Sequence, residues 1–150
     1  MATQYFSGYH KEFTMEQCEL LVVWHRHLFG IGLYLGATYG GGSCLFMCIA
    51  EHVYNTPKDY EMVREQIVDH ICRNWDDWSQ DVLAAYTEEN VKSKDDYKNY
   101  MGKPNEEGGL IELTAFCKMH SDVNFRVHFI TGRAMIIGNA ADAIVHNIAH

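Results

Sequence analysis

A run of glycines that ends in a serine and a cysteine is the stretch of this sequence best suited to chemistry. Gly40, Gly41 and Gly42 are followed by Ser43 and Cys44, and an apolar segment begins directly after the cysteine. Its apolar residues recur at four-residue intervals, which predicts an amphipathic helix with one buried face. Ser43 then occupies the N-cap position, and Cys44 is the first helical residue.

Cys44 is the candidate nucleophile because of this position. The N–H groups and the positive end of the helix dipole favour a thiolate, so we expect the pKa of this thiol to be depressed. The amides of Gly41, Gly42 and Ser43 are the candidate oxyanion-binding groups, since little side-chain bulk obstructs them. The alternative is that Cys44 is a small hydrophobic residue at the start of a helix.

Cysteine and histidine side chains on this helix raise the separate question of a metal site. Cys44, Cys48 and His52 follow one another at four-residue spacing and share one face of the predicted helix. Their outer members lie about 12 Å apart at about 1.5 Å per residue, too far to share one tetrahedral ion. His25 and His27 are two residues apart and point to different sides of a helix. The sequence therefore predicts no metal and no cofactor.

The residues around Cys44 resemble the nucleophile segment of the ovarian-tumour (OTU) family of cysteine deubiquitinases, whose pattern Asp-Gly-(Asn/Ser)-Cys-Leu-Phe precedes a short apolar helix. The matching residues are Gly42-Ser43-Cys44-Leu45-Phe46. A second block, which contains Gly108, Gly109 and Glu112, resembles the Trp-Gly-Gly and Glu-Leu segment of the family. A third block at 125–129 matches the strand that follows, and the order and spacing agree over residues 28–150.

The resemblance implies a papain-like cysteine protease fold of OTU type and a deubiquitinase activity. Cys44 would attack the carbonyl of the isopeptide bond at the C-terminus of ubiquitin or a ubiquitin-like protein. The base would be a histidine near the last strand, with His150 as first choice and His146 as reserve. Glu112 would be a buried carboxylate that fixes the loop beside the active site, whereas the alternative is a solvated helix glutamate.

Three departures from the family pattern bear on activity. Gly41 stands where the family has an aspartate, Glu107 where it has a tryptophan, and the sequence stops at His150, before the aromatic and Asp or Asn of the family. Without a group that orients the base we expect a weak enzyme, since the base and the oxyanion site still supply much of the acceleration. The alternatives are a catalytically impaired ubiquitin-binding or scaffold module, a viral-type polyprotein cysteine protease and an unrelated soluble domain.

Length and composition favour one soluble domain. The 150 residues are 47% hydrophobic, so we expect a single OTU-like domain over 1–150 with its core at about 28–150. The apolar stretches are shorter than a membrane span, and five cysteines without paired spacing favour free thiols in the cytoplasm. The net charge of −8 disfavours nucleic acid and suits a basic protein partner, although it is also typical of simple solvation. We expect a monomer.

Local signals predict helices first and strands afterwards. An N-terminal helix is expected at about 14–29. Further helix starts are expected at three N-caps and after a Gly-Gly pair: Thr56, Asn74, Ser93 and Gly109. The apolar period then changes to two, and strands are expected at 123–129, 134–137 and 143–148. We therefore expect an α+β fold with a small, mostly antiparallel sheet packed between helices.

Overall fold

The structure is a computed structural model that describes residues 15–30, 42–129, 133–138 and 144–149. Within these ranges six α-helices precede three strands, so the α+β class is confirmed. The helices are α1 (Met15–Gly30), α2 (Cys44–Tyr54), α3 (Tyr60–Arg73), α4 (Trp75–Ala85), α5 (Lys94–Met101) and α6 (Leu110–Met119). The strands are β1 (Val123–His128), β2 (Ala134–Ile137) and β3 (Ile144–Ala149).

Hydroxyl caps start two of the helical segments as the sequence predicts. The Thr56 hydroxyl accepts the backbone N–H two residues later at 3.4 Å, at a short 3₁₀ turn that leads into α3. The Ser93 hydroxyl accepts the N–H three residues later at 3.1 Å and begins α5. Asn74 stands before α4, but its side-chain amide donates to the carbonyl of His70 at 2.8 Å. The prediction that the Asn74 side chain caps α4 is therefore wrong, because this side chain hydrogen-bonds to the C-terminal end of α3 instead.

The sheet is mixed rather than mostly antiparallel. Its order is β2-β1-β3, with β2 antiparallel to β1 and β3 parallel to β1. Phe125 in the central strand lies opposite Ile137 on one side and opposite His146 on the other. Side chains alternate with the same period in parallel and antiparallel strands, so the sequence pattern carried no information about the direction of β3.

The core holds α2 firmly against its neighbours. Phe46, Ile49 and Ala50 of α2 are fully buried, and each large apolar side chain buried in this way contributes about 1.5–3 kcal/mol. They pack with other fully buried residues from α3, α5, α6 and β1: Val63, Ile67, Ile71, Tyr97, Met101, Phe116 and Phe125. The first turn of α2, which carries Cys44, is consequently anchored by side chains that begin only two residues later.

Candidate active site

Cys44 is the first residue of α2, and its side chain is half-buried. The backbone N–H groups of Cys44 and Leu45 act on its sulfur to lower the pKa of the thiol, which favours the thiolate. These amides are the helix-terminus donors that the sequence predicts for this position. The geometry around the sulfur is therefore that of a thiol at a helix N-terminus.

The pKa of Cys44 nevertheless lies above its usual range, so the predicted depression of this pKa is wrong. Burial is the largest cause, and the negative charge of Glu107 adds to it. The two backbone amides act in the opposite direction but are outweighed. One turn later, burial raises the pKa of Cys48 to about 12, with further contributions from Cys44 and Glu51. A proton acceptor close to Cys44 is therefore needed to form its thiolate near neutral pH.

Ser43 occupies the predicted N-cap position but does not cap the helix with its side chain. The side chain is buried, and its hydroxyl donates to the carbonyl oxygen of Pro104. The same hydroxyl accepts a hydrogen bond from Arg64 at 3.0 Å. The predicted side-chain cap is therefore wrong. The Ser43 hydroxyl instead makes a tertiary contact that connects the residue before the nucleophile to the loop at 102–109.

Arg64 of α3 links the same two segments. Its side chain is buried, and the two N–H groups of Nη2 are shared among three acceptors: the carbonyl oxygens of Gly42 at 3.2 Å and Pro104 at 3.1 Å and the Ser43 hydroxyl at 3.0 Å. Nη1 donates to the carbonyl oxygen of Met101 at 3.0 Å, and the guanidinium lies 4.1 Å from the centre of the Phe46 ring. Sequence reasoning missed this residue. The available signal was a basic residue within the buried stripe of α3.

Glycine is required where the nucleophile turn meets the loop at 102–109. A Cβ atom on Gly42 would fall 1.6 Å from the carbonyl oxygen of Asn105, which is an impossible contact with backbone. A Cβ atom on Gly108 would lie 2.7 Å from the Phe46 ring. The two segments therefore fit closely because both lack side chains at these points.

Glu112 of α6 is fully buried and holds the far end of this loop. One carboxylate oxygen accepts the Tyr97 hydroxyl at 2.8 Å. The other accepts the Tyr86 hydroxyl at 2.8 Å and the backbone N–H of Gly109 at 2.7 Å. Burial and the adjacent carboxylate raise the pKa of both tyrosines, which keeps their hydroxyls protonated as donors. This burial excludes the alternative of a solvated helix glutamate.

The reserve base His146 lies beside the other end of α2. Its ring centroid is 5.2 Å from that of His52 and 5.4 Å from that of Phe125. His52 follows Cys44 by two helical turns, or about 12 Å. The proximity of the two histidines also appears in the pKa of His52, which burial and the neighbouring His146 lower. The structure thus groups His146 with His52 rather than with the thiol.

Two predicted site residues, Gly41 and His150, lie outside the described residues. The described part of the site brings together Gly42, Ser43 and Cys44 and joins them to the loop that ends at Glu112. In the ranges that the structure describes, no cluster of three His, Cys, Asp or Glu side chains could hold a metal ion. The helices in those ranges also lack the combination of length and hydrophobicity that a bilayer span requires.

Comparisons with known proteins agree on one family. No family model matches the chain. Human OTU domain-containing protein 5 is 31% identical over 80 residues, which cover 53% of this chain and 13% of the human protein. OTU domain-containing protein 5-A from Xenopus laevis is also 31% identical over 80 residues, which cover 53% of this chain and 14% of that protein. The chain thus matches only a small part of these curated relatives.

Solved structures share the fold over more of the chain. The OTU domain of OTUD1 has a TM-score of 0.62 at 18% identity and covers 88% of this chain and 89% of that chain. The viral OTU domain protease from Dera Ghazi Khan virus has a TM-score of 0.58 at 17% identity, over 76% of this chain and 73% of that one. The structural likeness shows that this chain has the OTU fold, and the sequence matches over about half of the chain are to OTU domain-containing proteins.

Proposed function

We propose that this chain is a cysteine isopeptidase that acts at the C-terminus of ubiquitin or a ubiquitin-like protein. The observation that supports this most strongly is the position of Cys44 within an OTU fold. Its sulfur lies at the start of α2, where two backbone N–H groups favour the thiolate, and the preceding turn is fastened by hydrogen bonds from Arg64. A nucleophile held in this way is suited to acyl transfer.

In the proposed reaction the Cys44 thiolate attacks the carbonyl carbon of the terminal glycine of ubiquitin. Backbone amides of Gly41, Gly42 and Ser43 stabilise the oxyanion of the tetrahedral intermediate. The C–N bond then breaks, and the base returns its proton to the departing lysine amine. Water attacks the resulting thioester, which releases ubiquitin with a free carboxylate and restores the thiol.

We propose His150 as the base, following the order of residues in the family. The need for a base is supported by the pKa of Cys44, which burial and Glu107 hold above its usual range. The thiolate would therefore form only when a neighbouring imidazole takes the proton. With glycine at position 41 no carboxylate is available there to orient that imidazole, so we expect low turnover.

The charge beside the nucleophile suits a basic partner. Glu107 is exposed and close enough to Cys44 to raise its pKa, and the chain as a whole carries a net charge of −8. A substrate tail with basic residues near its C-terminus would offset the negative charge of Glu107. Binding of such a tail would thereby lower the pKa of Cys44 towards its usual range.

A second candidate is a ubiquitin-binding module without turnover, and the raised pKa of Cys44 is the observation that favours it. A mostly protonated thiol reacts slowly, and a glycine at position 41 removes one orienting acid. Such a module would keep the ubiquitin contact surface of the fold while losing the chemistry.

Ubiquitin carrying a C-terminal electrophile separates these candidates. For the enzyme we expect one covalent adduct at Cys44, detected by intact mass, which is lost in Cys44→Ser and retained in the matched control Cys48→Ser. His150→Ala should slow adduct formation by roughly 10²–10⁴-fold. Binding of ubiquitin without any adduct would instead support the module. Reaction with peptide substrates in preference to ubiquitin would indicate a polyprotein protease.

We also propose a reducing, cytoplasmic location. Four cysteines are free thiols: Cys44, Cys48, Cys72 and Cys117. Thiols in this number persist in a reducing compartment. Fractionation of cells that express the chain would test this, and recovery of disulfide-linked chain from a secretory compartment would contradict it.

A further inference from the structure

We propose that Arg64 is a positioning residue that sets the direction of the amides before Cys44. The inference rests on the proposed acyl-transfer function, in which these amides bind the oxyanion. Arg64 belongs to α3 and touches no reacting atom. It acts through the carbonyl groups that it holds on two neighbouring segments.

Burial of the charged Arg64 side chain costs free energy. Only 4% of Arg64 is exposed, and burial lowers its pKa. A methionine of similar length would fill the same space without the cost of removing a charge from water. Packing alone therefore does not account for an arginine here. What the guanidinium adds is a set of directed hydrogen bonds in fixed geometry.

Those hydrogen bonds converge on oxygens from two segments. The nucleophile turn contributes the Gly42 carbonyl at 3.2 Å and the Ser43 hydroxyl at 3.0 Å. The other segment contributes the carbonyls of Met101 at 3.0 Å and Pro104 at 3.1 Å. The guanidinium lies over the Phe46 ring, which fixes its plane from the α2 side. A single planar group thus bridges the nucleophile turn and the neighbouring loop, beside the direct hydrogen bond from Ser43 to Pro104.

Peptide planarity carries this restraint to the amides. In a trans peptide the C=O and the following N–H point in opposite directions, so a fixed Gly42 carbonyl also fixes the Ser43 N–H, directed away from Arg64. The Ser43 carbonyl is held separately, because it accepts the Met47 N–H at 3.0 Å in the first turn of α2. That bond fixes the Cys44 N–H in the same manner. One peptide is therefore oriented by the helix and the preceding one by Arg64.

The Gly42–Ser43 peptide, whose carbonyl Arg64 holds, lies outside the hydrogen-bonding pattern of α2, unlike the Ser43–Cys44 peptide. Gly42 has no Cβ, so many backbone conformations are open to it when the carbonyl is released. Lysine cannot replace the arginine, since one ammonium lacks the planar fork that spans Gly42 and Met101. Loss of the guanidinium should therefore misalign the Ser43 amide without removing any group that binds substrate.

Kinetics with a fluorogenic C-terminal amide of ubiquitin test this. Arg64→Lys and Arg64→Met should lower kcat by about 10²-fold, as expected for misalignment, while KM changes by less than about twofold. Millimolar guanidinium, far below denaturing concentrations, should restore part of kcat in Arg64→Ala. Arg73→Lys, an exposed position on the same helix, is the matched control and should behave as the parent chain. Parental kcat in Arg64→Lys would overturn the proposal.

A second readout does not depend on activity. Amide ¹⁵N relaxation should report increased motion of the Ser43 N–H in Arg64→Lys and no change in Arg73→Lys. An unchanged Ser43 amide overturns the role of Arg64 even in an active chain. If the parent chain is inactive but the Ser43 amide responds as described, the proposed function fails and the positioning role stands.

Discussion

Replacement of Glu112 by glutamine tests the buried network that ends the loop beside Cys44. The carboxylate accepts three hydrogen bonds, from the hydroxyls of Tyr97 and Tyr86 and from the N–H of Gly109. The glutamine oxygen can retain two of these donors. The glutamine NH₂ group must then face the third donor. A tyrosine hydroxyl in that place can rotate and accept a hydrogen bond from the NH₂ group, whereas the Gly109 N–H cannot.

The expected loss of stability follows from the kind of hydrogen bond that Glu112→Gln removes. Hydrogen bonds to a charged group contribute about 1.5–3 kcal/mol each, and neutral bonds contribute about 0.5–1.5 kcal/mol. Exchanging three charged bonds for three neutral ones is a gross loss of about 3–4 kcal/mol. Relief from burying the charge offsets part of this, so we expect Glu112→Gln to lower the free energy of unfolding by about 2 kcal/mol. Glu112→Ala, which leaves three donors without an acceptor, should cost about 3–5 kcal/mol.

Urea denaturation of the parent and variant chains measures these values. Glu65→Gln, at an exposed position on α3, is the matched control and should change stability by less than about 0.5 kcal/mol. Turnover in Glu112→Gln should fall as well, because the Gly109 end of the loop is released. If Glu112→Gln is as stable as Glu65→Gln, the carboxylate does not hold the loop and the reasoning about this network is refuted.

Three further changes probe the surroundings of the thiol. Gly42→Ala should destabilise the chain by about 1–3 kcal/mol in urea denaturation, because the new Cβ meets backbone; parental stability would contradict the close fit. Burial lowers the pKa of His52 and of His146, so the unfolded chain binds more protons below about pH 6.5. The free energy of unfolding should consequently fall as pH drops from about 7 to about 5, and it should fall less in His146→Asn. If the parent chain and His146→Asn lose stability equally over this range, the two histidines are not the source of the pH dependence. Iodoacetamide should modify Cys44 slowly at neutral pH and faster as the pH rises, as measured by peptide mass spectrometry. Glu107→Gln should move this rate profile to lower pH, and an unmoved profile would contradict the effect of Glu107 on the pKa of Cys44.

Much of the fold was predictable because its signals are local. The hydroxyls of Thr56 and Ser93 act within three residues of their own positions, and the alternation after residue 123 reports one buried strand face. Sheet direction is not local. The placement of β3 beside β1 depends on the path of the chain between strands, which period-two alternation does not encode.

The site was predictable only to the extent that it lies on one segment. Cys44 at a helix start follows from the residues next to it. Ser43 was expected to cap that helix, yet its hydroxyl bonds to Pro104, 61 residues away in sequence. The pKa of Cys44 depends on Glu107, which the loop at 102–109 brings close to it. Arg64 was missed for the same reason, since its acceptors lie on two other segments.

Hydrolysis of isopeptide-linked diubiquitin is the most direct test of the central claim, that Cys44 is the nucleophile of a ubiquitin isopeptidase. Purified parent chain, Cys44→Ser and Cys48→Ser should be incubated with diubiquitin under reducing conditions, and monoubiquitin measured over time. We expect slow Cys44-dependent release of monoubiquitin, absent in Cys44→Ser and unimpaired in Cys48→Ser. Monoubiquitin release at the parental rate from Cys44→Ser, or none from the parent chain, would contradict it.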